Sequence, residues 1–201
     1  MPKDSIALYF VMGGVRKCLW LSQISQVVFL LICLIIMPKV LTSGGGASDF
    51  GDHVTTIVPY ILGFALCALF LWLAAAKLLT INNDLRAKAF LLLVLAALEL
   101  LVLISTFPRR INSTYSEIHN YLGIALYVYQ FAVSIWLVKI RNRYWTVLFL
   151  LVQSAGSIIG LLSLLGVIHF LFIGQAIGAI GFGLLFVTVM PDAVVAPTIC
   201  H

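Results

Sequence analysis

The groups with the widest chemical reach in this chain are one carboxylate, three glutamines and three histidines, all set among long apolar runs. Glu99 interrupts the stretch Leu95-Ala96-Ala97-Leu98-Glu99-Leu100-Leu101. A carboxyl group in such surroundings binds a proton or a cation, or anchors a buried polar network. His119, Gly123, Tyr127, Gln130 and Ser134 follow one another at spacings of four, four, three and four, which places them on one helical face. Thr146, Gln153, Gly156 or Ser157, and Gly160 mark a second small and polar face, and Gln175 adds a further amide. His53, His119 and His169 each stand at the start of an apolar run, with Asp49, Asp52 and Glu117 nearby. Imidazole and carboxylate at one depth suit a transition metal, a haem between facing rings, or a sensor of external pH. Polar capping of helix ends is the simpler reading of the same residues, since no two of these histidines have metal-ligand spacing within one helix.

The elements that must position these groups follow from composition. The 201 residues are 63% hydrophobic and 9% charged, with a mean hydropathy of +1.15. Ordinary soluble domains carry about 25% charged residues, so the expected class is an integral membrane protein. A span needs about 20 apolar residues, and six runs qualify, at about 18–37, 54–79, 88–107, 120–139, 144–165 and 168–190. Backbone polar groups must be satisfied within each segment in lipid, so the runs are helices. The expected fold is all-α, a six-helix transmembrane bundle forming one domain over 1–201. No room is left for a soluble nucleotide-binding domain. Cys18, Cys33, Cys67 and Cys200 are widely spaced, which reads as inert thiols rather than a disulfide or zinc framework.

Charge placement predicts the topology. With the N-terminus inside, the cytoplasmic side receives Lys3, Arg16, Lys17, Lys77, Arg86, Lys88, Lys139, Arg141 and Arg143, against Lys39, Arg109 and Arg110 outside. Basic residues collect on cytoplasmic loops, so both termini are expected in the cytoplasm of a cell-membrane protein. The net charge of +5 then reports topology, not nucleic-acid binding. Trp20, Trp72, Trp136 and Trp145 fall toward the inner leaflet, as an aromatic belt would. The run 5–15 is too short to span, and 1–17 reads as a short interfacial segment. All six prolines sit at span ends or in the tails. Gly44, Gly45 and Gly46 predict a mobile first outer loop, and Asn112-Ser113-Thr114 matches a glycosylation acceptor.

Inside the bundle, Gly156 and Gly160 on the fifth span and Gly174 and Gly178 on the sixth form small-residue motifs that let backbones approach. The short turn at Gly166 makes those two spans antiparallel neighbours. A charge at mid-span costs about 2.5 to 3.5 kcal/mol on insertion scales, so Glu99 must face inward, hold a proton, or both. The polar stripe of the fourth span must also turn from lipid. A polar interior centred near Glu99, Gln130 and Gln153 is expected, with Tyr127 and Gln175 lining it and His119 at its outer mouth.

Phe107-Pro108-Arg109-Arg110, followed by Ile118-His119-Asn120-Tyr121-Leu122-Gly123, resembles a prokaryotic family of six-span membrane proteins of unknown function, in which Phe-Pro closes span three and His-Asn opens span four. The eukaryotic damage-regulated autophagy modulators show a similar His-Asn start to a helix. The resemblance covers about 35 residues and implies span count but no reaction. The same segment resembles the ascorbate-dependent di-haem ferric reductases, whose helix-opening histidine ligates haem; His119 matches that ligand and Leu122-Gly123 the pair that follows. Two haems require four histidines on paired helices, and this chain has none at the inner span ends. The resemblance therefore implies at most one outer haem, between His119 and His53 or His169.

No phosphate loop, His-Glu-x-x-His, Gly-x-Ser-x-Gly or acidic lipid-phosphotransferase motif occurs, so an enzyme is not expected. Asp84, Arg86, Lys88, Arg141 and Arg143 are placed to meet anionic lipid headgroups. Three functions follow from the residues. The first is passage of a small solute or ion, or ligand binding, in the polar interior. The second is electron transfer through one outer haem. The third is an accessory subunit that meets a membrane protein partner, or a second copy, through the Gly156 and Gly174 faces.

Overall fold

A computed structural model describes residues 3–80, 85–108, 111–141 and 143–195. Six helices carry the chain: α1 (Lys3–Ile36), α2 (Ile57–Leu79), α3 (Arg86–Thr106), α4 (Ser113–Ile140), α5 (Tyr144–Leu164) and α6 (Leu171–Val195). Each contains a segment long and apolar enough to cross a membrane. Asp84, Arg109, Arg110 and Cys200 lie outside the described residues.

The boundaries follow local chemistry. Asn112 takes an extended backbone and its Oδ1 accepts from the Tyr115 amide at 3.0 Å, an N-cap that starts α4 and gives this side chain a structural role. Pro59 falls in the first turn of α2 and Pro38 at the start of a short 3-10 helix, Pro38–Leu41, positions where a missing N–H is harmless. Two expectations are corrected. The run 5–15 is not a separate element but the first part of α1, because nothing between Val15 and Cys18 breaks a helix and Arg16 and Lys17 favour one. At about 1.5 Å per residue, the 34 residues of α1 exceed the hydrocarbon thickness. Pro191 does not end α6, which continues to Val195; its ring removes the amide that would donate to the Val187 carbonyl.

α1 packs on α2, α2 on α3, α3 on α4, α4 on α6, and α6 back on α1. Five helices thus close a ring, while α5 lies outside it, mainly against α6 and secondarily against α4. The connections α1–α2, α3–α4 and α5–α6 share one end of the bundle, here the loop end; the N-terminus of α1 and the C-terminus of α6 share the other, the terminal end. Large apolar side chains point outward all round, including Ile35, Leu62, Ile104, Val128, Leu161 and Ile180. Buried polar side chains include Glu99, His119, Gln130 and Gln153. This reversal of the soluble pattern suits a lipid surround.

The α5–α6 seam is built on glycine. A Cβ on Gly174 would lie 2.5 Å from Gly160 N and 2.9 Å from Gly156 O, and one on Gly181 2.5 Å from Gln153 N. A Cβ on Gly156 would collide with the backbone of Gly178. Gly156, Gly160, Gly174 and Gly178 therefore meet within the chain, as helix-packing residues. The accessory-subunit reading loses the face it relied on, because each motif is covered by the other.

Between α1 and α2 the chain crosses the loop end as two 3-10 helices, Pro38–Leu41 and Ala47–Asp52. Phe50 is fully buried and meets Phe172 edge-on at 5.4 Å. The Phe172 amide donates to Gly45 O at 3.1 Å, and Thr56 Oγ1 donates to Phe50 O at 2.6 Å. The triple glycine is thus anchored rather than loose, with Gly44 at φ +74° against the His169 ring. Only glycine adopts that conformation cheaply.

Candidate functional site

Glu99 is 2% exposed. Gln26 Nε2, on α1, donates to its Oε2 at 3.4 Å, and Gln130 Nε2, on α4, donates to its Oε1 at 3.4 Å. Cys67 Sγ, on α2, donates to Gln26 Oε1 at 3.9 Å. Four of the five ring helices thereby contribute one side chain each, and all four lie in the middle third of their apolar segments. Both amide contacts are long for N–H···O bonds, so the glutamines frame the carboxyl group without clamping it. Among the described residues no Lys, Arg or His makes an ion pair with Glu99.

The pairing of Glu99 with Gln130 was legible in the sequence, but Gln26 and Cys67 were not. The available signal was the repeated Ser22-Gln23, Ser25-Gln26 break in an otherwise apolar first span. Ser22 and Ser25 turn their hydroxyls onto their own helix, donating to Leu19 O at 2.7 Å and Ser22 O at 2.9 Å. Gln23 faces α6, where a Cβ on Gly183 would lie 2.7 Å from its Oε1.

The other predicted interior groups are dispersed. Tyr127 is half-buried over Gly178, and its hydroxyl accepts from Ser157 Oγ at 3.1 Å. It thus joins α4, α5 and α6 instead of lining the ring. Gln175 is not at the centre: its Oε1 accepts from the Ala47 amide at 2.8 Å and pins the crossing segment to α6. Gln153 is fully buried, yet neither amide atom has a hydrogen-bond partner, and the same holds for Ser134 Oγ. The stripe predicted on α4 is real as a face, with His119, Gln130 and Ser134 buried along it.

The three histidines occupy separate environments. His119 is buried with Nδ1 3.0 Å from Ser105 Oγ. The Ser105 hydroxyl also lies 2.9 Å from Val102 O. His53 is exposed at a cleft of about 610 Å³ beside Lys39, Asp49 and Asp52. His169 is exposed against Gly44. Among the described residues no three His, Cys, Asp or Glu side chains converge as a metal site requires. Cys18, Cys33 and Cys67 are free and buried. Compared with known protein families, curated proteins and solved structures, the chain matches none.

Proposed function

We propose that this chain is a multi-pass protein of the cell membrane, with both termini cytoplasmic, that binds a proton or small cation at Glu99 and serves the passage of an ion or small solute. The observation that carries this reading is a buried carboxyl group framed by two neutral amides with no counter-charge among the described residues. Burying an uncompensated charge is prohibitive, so this carboxyl group needs a positive partner, and the smallest are a proton and a bare cation. Its level halfway along the ring helices is where intramembrane carboxylates serve ion and proton pathways. Polar groups continue from it toward both ends along α4, with His119 toward the loop end and Ser134 toward the terminal end. The orientation rests on the nine basic residues, from Lys3 to Arg143, that cluster at or toward the terminal end.

The test is flux in reconstituted vesicles, read with pH- and cation-sensitive dyes. Glu99→Gln preserves side-chain volume and can meet both glutamines, so the protein should fold while flux falls by about tenfold or more, a barrier change of roughly 1.4 kcal/mol. Unchanged flux in this variant removes the central role of Glu99. Protease access to an N-terminal epitope in sealed right-side-out vesicles tests the orientation; cleavage from outside would reverse it.

A further inference from the structure

Gln153 presents an unusual combination: a side chain with no exposed surface, on the one helix outside the ring, with both its amide donor and its acceptor unpartnered. Ser134 Oγ, equally buried on α4, is also unpartnered. Buried polar groups in folded proteins nearly always have a protein or water partner, and leaving one unmade costs about 1 to 3 kcal/mol.

The two groups lie at similar heights on α4 and α5, which pack on one another. Tyr127 and Ser157 are hydrogen-bonded across antiparallel α4 and α5, which sets the register between these helices. One turn from Ser157 to Gln153 along α5 therefore corresponds to one turn from Tyr127 to Gln130 and Phe131 along α4. At about 1.5 Å per residue, Ser134 lies within roughly 5 Å of Gln153 in height. Ser134 is also four residues beyond Gln130 on the same face of α4, and Gln130 holds Glu99. α6 closes the back of this place with bare backbone, since a Cβ on Gly181 would lie 2.8 Å from Phe149 O and 2.5 Å from Gln153 N.

We propose that Gln153 and Ser134 form a binding site for buried water, and that this water connects α5 to the Gln130–Glu99 pair. An amide needs an acceptor for its N–H and a donor for its C=O, and a hydroxyl takes either. Water satisfies all three, and a polar site with at least two partners is where buried water is retained. The water gives Glu99 a route for proton exchange that does not pass through the crossing segment at the loop end. In this respect the inference deepens the reading of Glu99 as the proton- or cation-binding centre and rests on it.

The experiment uses the full chain in nanodiscs with labelled glutamine side-chain amides, probed by NMR with water and D2O. The Gln153 amide protons should show cross-peaks to water and exchange far faster than the backbone amides around them. In Gln153→Met with Ser134→Ala, exchange of the Gln130 amide should slow by about tenfold, as expected when local solvent access is lost. Absence of a water cross-peak at Gln153 in the unaltered protein, with exchange as slow as its backbone, overturns the site. An unchanged Gln130 rate in the double variant overturns the link to Glu99. If Glu99→Gln leaves flux intact while Gln153 still contacts water, the passage reading fails and the hydrated site stands.

Discussion

Alanine at Gly174 and alanine at Gly160 should change stability in opposite directions, although both residues belong to the same pair of small-residue motifs. A Cβ on Gly174 lies 2.5 Å from Gly160 N, 2.9 Å from Gly160 Cα and 2.9 Å from Gly156 O. All three are backbone atoms, so no side chain can rotate away. Restoring ordinary contact requires α5 and α6 to part by about 0.5 to 0.9 Å at this level, and a gap of that size forfeits a quarter to a half of each dispersion contact it opens. Overpacking of this kind costs about 1 to 3 kcal/mol, against a gain of about 1 kcal/mol from replacing glycine within a helix. Because the overlap at 2.5 Å is with backbone, the cost falls at the upper end of that range, and Gly174→Ala should lose about 2 kcal/mol net. A Cβ on Gly160 meets nothing within 4 Å, so Gly160→Ala should keep most of the helical gain of about 1 kcal/mol. The unfolding equilibrium in mixed detergent micelles, followed by far-UV circular dichroism or steric trapping, measures both. Equal destabilisation by the two alanines, or stabilisation by Gly174→Ala, would refute the view that the seam is a directional backbone contact.

Glu99→Leu should destabilise the fold by about 1 to 3 kcal/mol by leaving the Gln26 and Gln130 amides unpaired, while Glu99→Gln stays within about 1 kcal/mol; the same unfolding assay reads both, and equal effects would mean that the amides do not depend on the carboxyl group. Gln26→Leu should reduce vesicle flux as strongly as Gln130→Leu, since each supplies one donor at 3.4 Å; an effect confined to Gln130 would remove α1 from the site. Gln175→Leu removes the acceptor for the Ala47 amide, so hydrogen exchange over 45–52 should accelerate about five- to tenfold for a bond worth roughly 1 kcal/mol, with α2 and α3 unchanged.

The legible part of the fold was the part that depends on one helix at a time. Five of the six span positions match the observed helices to within a turn or two at each end, because lipid requires each apolar run to satisfy its own backbone. The face carrying His119, Gln130 and Ser134 was equally legible, since helical spacing decides it. The break placed before Cys18 did not hold, and α6 runs past Pro191 to Val195. A charged pair does not interrupt a helix, and Pro191 forgoes one backbone hydrogen bond without ending α6.

The site divided along the same line. Glu99 and Gln130 could be paired by depth alone, but depth does not say which helices adjoin. Gln153 shares that depth and still makes no contact with Glu99, because α5 lies outside the ring. Tyr127 and Gln175 were assigned to the interior for being polar, and each instead meets a partner close by in space, Ser157 and Ala47. Gln26 was hidden because Gln23 and Gln26 stand three residues apart in the first span, and the sequence does not say which of them meets the carboxyl group.

By itself the sequence determined the helical class, the number of helices long and apolar enough to cross a membrane and the scarcity of polar groups, since all of these follow from hydropathy and charge summed along one dimension. Only the tertiary structure decided which of those groups meet. It closed α1, α2, α3, α4 and α6 into a ring around Glu99, consumed both glycine motifs in one seam, and left Gln153 and Ser134 buried without protein partners. The physical reason is that polar contacts reach only about 3 Å, so their existence depends on helix adjacency and rotation, which hydropathy does not encode.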